Sequence, residues 1–461
     1  MVLIMSLNCK FSLKNVNKSK TVLFAGIGGI SMSALAQMLL RDGYIVSGYD
    51  MKRTALTEKM ELMGIEIAYE FEDIVFENVG LVVYTKALSD DHYVLVKARE
   101  NGITAIDRPV LLGEIMKNDR RRIGIAGTHG KSTSTGMLSQ IFLSDPTLDP
   151  TIMIGAQLPA MGDSYRVGRG GDFIFEACEY KDAFLDFCPN IAVVLNVELD
   201  HTDYFSDIDD MTESFADYIS KCGKNGVAIV NGDNANAVKA SLMARENVGK
   251  ILYFSAQTEA DIYADNIVYD KGYAEFDICI SGDVYAHAKL NIPGKFNISN
   301  ALAVAGAAYV CGIPRSAVEK GMAEFGGVNR RFERRCVVNG AVVIDDYAHH
   351  PDEIRATVST ACAISNRVIA VFQPHTYTRT RDLFDDITKA FAGCHQVIFA
   401  DIYSAREADI YGINSKMLAD ATPNALYLGG FEEIGAYLRS VAREGDIILI
   451  MGAGDINKLV V

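Results

Sequence analysis

No uninterrupted apolar run in this chain approaches the ~18 residues of a membrane-spanning helix. The apolar start Met1–Met5 is too short for a signal-peptide core, and no positive region precedes it. The chain also lacks any C-x-x-C pair. Its nine cysteines are an odd, scattered set that fits reduced, mostly buried thiols in a reducing compartment. Positive charge is scarce: 44 Lys and Arg stand against 59 Asp and Glu, a net charge of −15. That balance speaks against nucleic acid or an anionic membrane as a partner, although local basic clusters remain free to line an anion pocket. Neither repeats nor a low-complexity linker occur. These absences leave a cytoplasmic globular protein, expected as a monomer or homodimer.

What is present is ample apolar material, 49% of 461 residues, enough for several cores and two to four domains at roughly 100–200 residues each. Short apolar strands alternate with helical patterns throughout, the mark of an α/β fold. Three blocks emerge, 1–116, 117–328 and 329–461. In the first, strand Thr21–Ala25 meets a glycine turn, helix Met32–Asp42, strand Tyr44–Tyr49 and strand Val79–Tyr84. The second opens with Arg120–Arg122 and strand Ile123–Ala126, followed by strands Phe173–Phe175 and Ile191–Leu195. Towards its end Tyr273–Ile280 and Val284–Ile292 alternate about Ser281-Gly282-Asp283, which predicts an antiparallel hairpin. Helices Asn300–Cys311 and Ser316–Phe325 follow. The third block carries strands Ala341–Ile344, Val368–Phe372, Val397–Ala400 and Ile447–Ile450.

The strongest local signal is Gly127-Thr128-His129-Gly130-Lys131-Ser132-Thr133, set between a strand and the predicted helix Ser134–Leu143. Phosphate binding needs backbone N–H groups turned inward, which glycine permits, and a helix N-terminus adds a positive dipole end. Lys131 is placed to reach β- and γ-phosphates and the Ser132 hydroxyl to ligate Mg²⁺. Two further strands end in metal-competent residues, Glu176-Ala-Cys-Glu-Tyr and Asn196-Val-Glu-Leu-Asp200-His201. Ligands of a parallel sheet gather beyond the carboxyl ends of its strands, so Ser132, Glu176 and His201 are expected at one site. Oxygen donors with one imidazole suit Mg²⁺ or Mn²⁺ better than Zn²⁺.

Two segments of the third block also follow strands, Asp345-Asp346-Tyr347-Ala348-His349-His350-Pro351 and Phe372-Gln-Pro-His375-Thr376-Tyr-Thr-Arg379-Thr-Arg381. Their cations and imidazoles form a candidate anion-binding face. In the first block Gly26-Ile-Gly28-Gly29-Ile-Ser31 follows a strand, and Asp50 closes the next. This approximates the dinucleotide fingerprint with Ser31 in place of its third glycine, and reads as a diphosphate cradle of unspecified ligand.

In order along the chain, the Gly26 loop, GTHGKST, EACEY from Glu176, Asp200-His201, Asn297-x-x-Asn300, Arg330-Arg331-Phe332, DDYAHHP, FQPHTYTRT and MGAGD from Met451 resemble the Mur ligases. The likeness extends over nearly the whole chain and is nearest to the alanine-adding branch, since no lysine stands between Thr202 and Ser220 where sister ligases carry a carbamylated one. The resemblance implies an N-terminal Rossmann-like domain for a UDP substrate, a central P-loop ATPase-type sheet with a small antiparallel element, and a C-terminal Rossmann-like domain. It implies ATP and Mg²⁺ (or Mn²⁺) as cofactors, with UDP-N-acetylmuramate and L-alanine as partners. By the same likeness Gly127–Thr133, Asn297, Asn300, Arg331 and Asp346 bind ATP. Ser132, Glu176 and His201 bind metal. Gly26, Gly28, Gly29, Ser31, Asp50, Tyr347, His349, His375 and Arg379 bind substrate, and Lys131, His349, His375 and Arg379 are the catalytic set. Two positions depart from the family's habit: Phe296 stands where His is frequent, and Thr376 where Arg is.

The implied chemistry is activation of a carboxylate by the ATP γ-phosphoryl group, then attack of an amine on the acyl phosphate. Either His349 or His375 is a candidate base. A ligase attaching a preformed peptide shares much of this motif set. A dinucleotide-dependent oxidoreductase accounts for the Gly26 loop alone, and a non-catalytic nucleotide switch leaves the imidazoles and Arg379 without purpose.

Overall fold

The computed structural model describes residues 11–85, 88–201, 204–405 and 407–461; the apolar start Met1–Met5 lies outside them. The chain forms two compact units, Met1–Ser255 with Ala303–Pro314, and Ala256–Leu302 with Arg315–Val461. Among the described residues no helix is long and apolar enough to cross a membrane.

The first unit holds two sheets. Strands β1 (Thr21–Ala25), β2 (Ile45–Tyr49), β3 (Glu66–Ala68), β4 (Val79–Tyr84) and β5 (Thr104–Asp107) lie in the order β3-β2-β1-β4-β5. All pairs are parallel, the arrangement of a Rossmann-like half with its crevice beside β1. Strands β6 (Arg121–Ala126), β7 (Thr151–Leu158), β8 (Asp163–Arg166), β9 (Asp172–Glu176), β10 (Ile191–Val194), β11 (Val227–Asn231) and β12 (Lys250–Ser255) run in the order β12-β11-β10-β6-β9-β7-β8. Only β8 is antiparallel to its neighbour. All four residues of β10 are buried, as expected of a parallel strand covered on both faces, which therefore reads as an apolar run without alternation. Gly124, in the middle of β6, is required by packing: a Cβ there would stand 2.2 Å from the Tyr218 hydroxyl and 2.6 Å from the Phe175 ring.

The second unit contains the antiparallel element and a third sheet. Strands β13 (Ile262–Asp270), β14 (Tyr273–Ile280) and β15 (Asp283–Lys289) form a meander. The predicted hairpin turn has Ser281 at φ 55° and Gly282 at φ 90°, the paired positive values of a twist-matched two-residue turn. Strands β16 (Glu333–Val338), β17 (Ala341–Asp346), β18 (Val368–Phe372), β19 (Gln396–Ala400), β20 (Ala425–Gly429) and β21 (Ile447–Met451) lie in the order β16-β17-β21-β18-β19-β20. All are parallel except the edge strand β16. Successive residues of β18 serve opposite cores: Ala370 and Phe372 pack with Ile354 and Val358, while Ile369 and Val371 pack with Ile434 and Leu438.

The four predicted helices all begin earlier than their periodicity suggests, Lys131–Leu143 ahead of Ser134 and Arg315–Glu324 ahead of Ser316 among them. Ile30–Arg41 starts directly after Gly29, whose extended backbone serves as the cap. Phe296–Val310 starts ahead of Asn300 because a turn at Pro293-Gly294 feeds it: the Asn297 amide donates to Gly294 O at 3.0 Å.

Candidate active site

In the first unit, β6 delivers its loop to the helix Lys131–Leu143, with Gly127 at φ 149° and Gly130 at φ 85°. Gly127 also lies against the next strand's end, where a Cβ would meet Leu195 Cβ at 2.9 Å. Asn196, which motif reading left without a role, clamps this loop. Its backbone O accepts from Thr128 N at 3.2 Å, its side-chain Oδ1 accepts from His129 N at 2.8 Å, and its Nδ2 donates to His129 O at 3.1 Å. The Thr128 hydroxyl donates to Glu198 O and accepts from Glu198 N, both at 2.9 Å. With Thr128 and His129 so engaged, the amides left for an anion are those of the helix's first turn, at Lys131, Ser132 and Thr133, which an α-helix leaves without intrahelical partners. Ser132 is buried and Thr133 half-buried there.

Lys131 is held inward. Its Nζ donates to Gly127 O at 2.5 Å and Thr128 O at 3.0 Å, and both carboxylate oxygens of Glu179 lie 3.0 Å from it. Glu179 is fully buried, and His201 Nε2 stands 3.7 Å from its Oε1. Burial alone would depress the Lys131 pKa, but the Glu179 charge outweighs it and leaves the pKa raised. Burial likewise opposes ionisation of Glu179, yet the Lys131 charge and the His201 hydrogen bond hold its pKa below the usual carboxylate range. The pair is therefore ionised.

The acid in direct contact with Lys131 and His201 is Glu179, and the expected acid Glu176 lies near enough for its charge to raise the Lys131 pKa as well. Glu176 ends β9, and its carboxylate turns to accept the Gly155 amide of β7 at 2.8 Å. Three residues later the chain has rounded the turn, and Glu179 points back under the glycine loop. The sequence signal was there, as the second acid of Glu176-Ala-Cys-Glu179.

At the head of the first sheet, Gly26 turns at φ 84° and Gly29 caps the following helix, with Ser31 in its first turn. Asp50 closes on this loop: its Oδ2 accepts the Gly28 amide at 2.8 Å, and a Cβ on Gly28 would stand 2.7 Å from the same oxygen.

In the second unit the carboxyl ends of β17, β18 and β21 bring three motifs to one sheet edge. Asp346 is buried and accepts from Phe332 N at 2.7 Å and Ala348 N at 2.8 Å. Burial raises its pKa to about 6 against the pull of Arg331. Arg331 lies 3.6 Å from Glu353 and over the Tyr347 ring at 5.4 Å. His349 Nδ1 is 3.0 Å from Tyr347 O and 3.3 Å from Glu353 Oε2, and its ring is 6.0 Å from that of His375. Burial lowers both imidazoles, with Arg379 adding to the effect; His375 falls to about 4. His375 stacks on Tyr403 at 5.7 Å, and Thr376 holds its place at φ 63°, capping the helix that carries Arg379. Gly452 and Gly454 of the last loop pack on Gln373, where Cβ atoms would meet its oxygens at 2.8 and 2.5 Å. Asn297 and Asn300 are buried and linked at 3.0 Å, with Asn297 also donating to Pro293 O at 2.7 Å.

Comparison with known proteins accounts for these motifs as a set. The Mur ligase family catalytic domain matches residues 21–120, the Mur ligase middle domain 125–308, and the Mur ligase glutamate ligase domain 330–454. UDP-N-acetylmuramate–L-alanine ligase of Acetivibrio thermocellus is 42% identical over 456 residues, 98% of this chain and 97% of that protein. Among solved structures, UDP-N-acetylmuramate-alanine ligase from Thermotoga maritima is similar in fold, with a TM-score of 0.76 at 24% identity over 95% of this chain and 96% of that one. A murein peptide ligase from Psychrobacter arcticus gives a TM-score of 0.67 at 22% identity, over 95% and 97% of the two chains. With three family domains matched in order and a relative this similar along nearly its full length, the chain belongs to the Mur ligase family.

Proposed function

We propose that this protein joins L-alanine to the carboxylate of UDP-N-acetylmuramate with cleavage of ATP to ADP and phosphate, a cytoplasmic step of peptidoglycan precursor synthesis. The carrying observation is the buried Lys131–Glu179–His201 cluster under a glycine loop, in a chain 42% identical to a ligase of that name. We keep the domain boundaries near residues 116 and 328, with UDP-substrate, ATP and ligase functions assigned in that order.

A carboxylate is a poor acyl donor to an amine, so it must be activated first. Its oxygen attacks the ATP γ-phosphorus, ADP leaves, and an acyl phosphate forms. Lys131 offsets charge on the transferring group, and Arg331 is proposed for the same task, with Asn297, Asn300 and Asp346 as further nucleotide contacts. The Ser132 hydroxyl, the Glu176 carboxylate and the His201 imidazole are assigned to a divalent cation, an oxygen-rich donor set with one imidazole, while Glu179 serves as the counter-charge of Lys131. Bound there, Mg²⁺ would neutralise phosphate charge.

The alanine amine then attacks the acyl carbon and phosphate leaves. Of the two imidazoles, His349 is the better base. Its Nδ1 is engaged by Tyr347 O and Glu353, which leaves Nε2 as the acceptor, and the Glu353 charge opposes the burial that lowers its pKa; His375, at about 4, holds a proton poorly. Tyr347, His375 and Arg379 are assigned to substrate. The Gly26, Gly28, Gly29 and Ser31 loop takes the UDP diphosphate, with Asp50 shaping that loop through Gly28. A dinucleotide oxidoreductase leaves the Lys131 cluster without purpose.

The test is phosphate release with ATP, UDP-N-acetylmuramate and, in turn, L-alanine, glycine, L-serine or a preformed peptide. Release is expected to need the UDP-sugar and to have its highest kcat/KM with L-alanine. Turnover with the peptide but with no free amino acid would overturn the assignment.

A further inference from the structure

Two pieces of motif have no role in the chemistry proposed above: Arg330, the first residue of Arg330-Arg331-Phe332, and the loop Gly452-Ala453-Gly454 that follows β21. The structure joins them. The Arg330 guanidinium donates from one terminal nitrogen to Gly452 O at 2.5 Å and from the other to Gly454 O at 3.3 Å. A glycine loop beyond a parallel strand is a common seat for phosphate, but such a cradle presents amide N–H groups. Here carbonyls face a cation. On its other side the loop is held by Gln373, whose Oε1 accepts from Ile456 N at 3.0 Å and whose Nε2 donates to Asp455 Oδ1 at 3.1 Å. The loop is a clasp between two motifs.

What the clasp holds is the turn around Arg331. Arg330 at φ 60° and Phe332 at φ 51° are both left-handed, a conformation that side-chain-bearing residues keep only where contacts over-determine it. On one side of Arg331, the Phe332 amide donates to Asp346 Oδ2 at 2.7 Å. On the other, the Arg330 amide donates to Glu333 Oε2 at 2.7 Å and its carbonyl accepts from Tyr347 N at 2.8 Å. The Arg330 guanidinium also stands 3.6 Å from the buried Asp345 carboxylate. Both guanidiniums lie against one ring, Arg330 at 4.9 Å and Arg331 at 5.4 Å from the centre of Tyr347.

We propose that Arg330 is a positioning residue, fixing the Arg331 guanidinium by clasping the Gly452–Gly454 loop to the end of β17. This rests on the reading of Arg331 as a contact of the transferring phosphoryl group. Arg330 spends its own donors on two carbonyls and Asp345, so it acts through its neighbour. Charge stabilisation needs donors already in place when the charge develops, and a misplacement of about 1 Å can cost about a hundredfold in rate.

The experiment uses the full chain, with steady-state kinetics and thermal unfolding of each variant. Arg330→Lys keeps a charge beside Asp345, but a single ammonium does not reproduce the planar fork that spans two carbonyls. It is expected to lower kcat at least about tenfold, with KM for UDP-N-acetylmuramate and L-alanine within about twofold of the parent. Arg331→Ala should lower kcat by about a hundredfold or more. Adding Arg330→Lys to Arg331→Ala should cost no more than about a further twofold, because both act through one guanidinium. A purely structural role gives losses that multiply, or KM values that rise for every substrate. Either result, or parental kcat in Arg330→Lys, would overturn the proposal. Gly454→Ala displaces the clasp from its other side, since its Cβ would stand 2.5 Å from Gln373 Oε1. The same loss of kcat is expected there, and it decides alone if Arg330→Lys does not fold. Arg331→Ala separates the two readings. Parental kcat in that variant would sink the assignment of Arg331 to the phosphoryl group, and the proposal with it. A loss there beside parental kcat in the Arg330 and Gly454 variants would sink only the positioning role.

Discussion

Lys131 is a structural residue as well as a candidate phosphate ligand. Its ammonium is the counter-charge of Glu179, a carboxylate with no exposed surface. Removing one partner of a buried pair leaves the other charge uncompensated, at a cost of about 3–5 kcal/mol. Lys131→Ala is therefore expected to lower stability as well as turnover, and Lys131→Ala with Glu179→Gln to recover most of the stability but none of the turnover. Urea denaturation compared with phosphate release checks this. Because Glu179 is held below its ordinary pKa, the pair's contribution is present above the unfolded carboxylate's titration and lost as pH falls through the lower folded-state value. The loop glycines, Lys131 and His201 were legible in the sequence because spacing after a strand carries their chemistry. The pairing of Lys131 with Glu179 was not: spacing alone does not show that the acid three residues past the end of β9 turns back under the loop. Asn196 was equally hidden, since a loop clamp has no motif of its own.

At the scale of elements, the best-read feature was the Tyr273–Ile280 hairpin, where alternation and a Ser-Gly turn agree with the backbone that formed. Its partner β13 went unread because eight of its nine residues lie on half-exposed or exposed surface with little alternation. The edge strand β16 was missed for a similar reason. The hairpin carries a charge cluster that periodicity does not reveal. His287 Nδ1 is 2.9 Å from Asp277 and its Nε2 3.1 Å from Glu275, and these hydrogen bonds raise its pKa. A raised folded-state pKa means that the contact's stabilisation is full below the unfolded imidazole's titration and is lost as pH rises through the folded value. The site is exposed, so the effect is local and salt-sensitive. Proton NMR is expected to show His287 titrating above the ordinary imidazole range, and Asp277→Asn to bring it down. A His287 midpoint at or below the ordinary value would refute the cluster's role.

Over the whole chain, each of the three sheets delivers its polar residues at the carboxyl ends of parallel strands: after β1, after β6, β9 and β10, and after β17, β18 and β21. That rule made the motifs findable before any coordinates, since side chains beyond such ends are where open α/β sheets bind ligands. It also bears on which phosphorus is attacked. A loop whose lysine follows a glycine turn at a helix N-terminus grips the β- and γ-phosphates, which favours transfer of the terminal phosphoryl group over the adenylyl group. If the muramate carboxylate carries ¹⁸O, the attacking oxygen becomes the bridge between acyl carbon and phosphorus. When the amine attacks carbon, the C–O bond breaks and that oxygen departs with phosphate. One label per turnover is therefore expected in inorganic phosphate, read by mass spectrometry or by the isotope shift in phosphorus NMR, with ADP as the other product. Label in AMP, with pyrophosphate released, would mean adenylation, and would move the role of Lys131 from the transferring group to the leaving one.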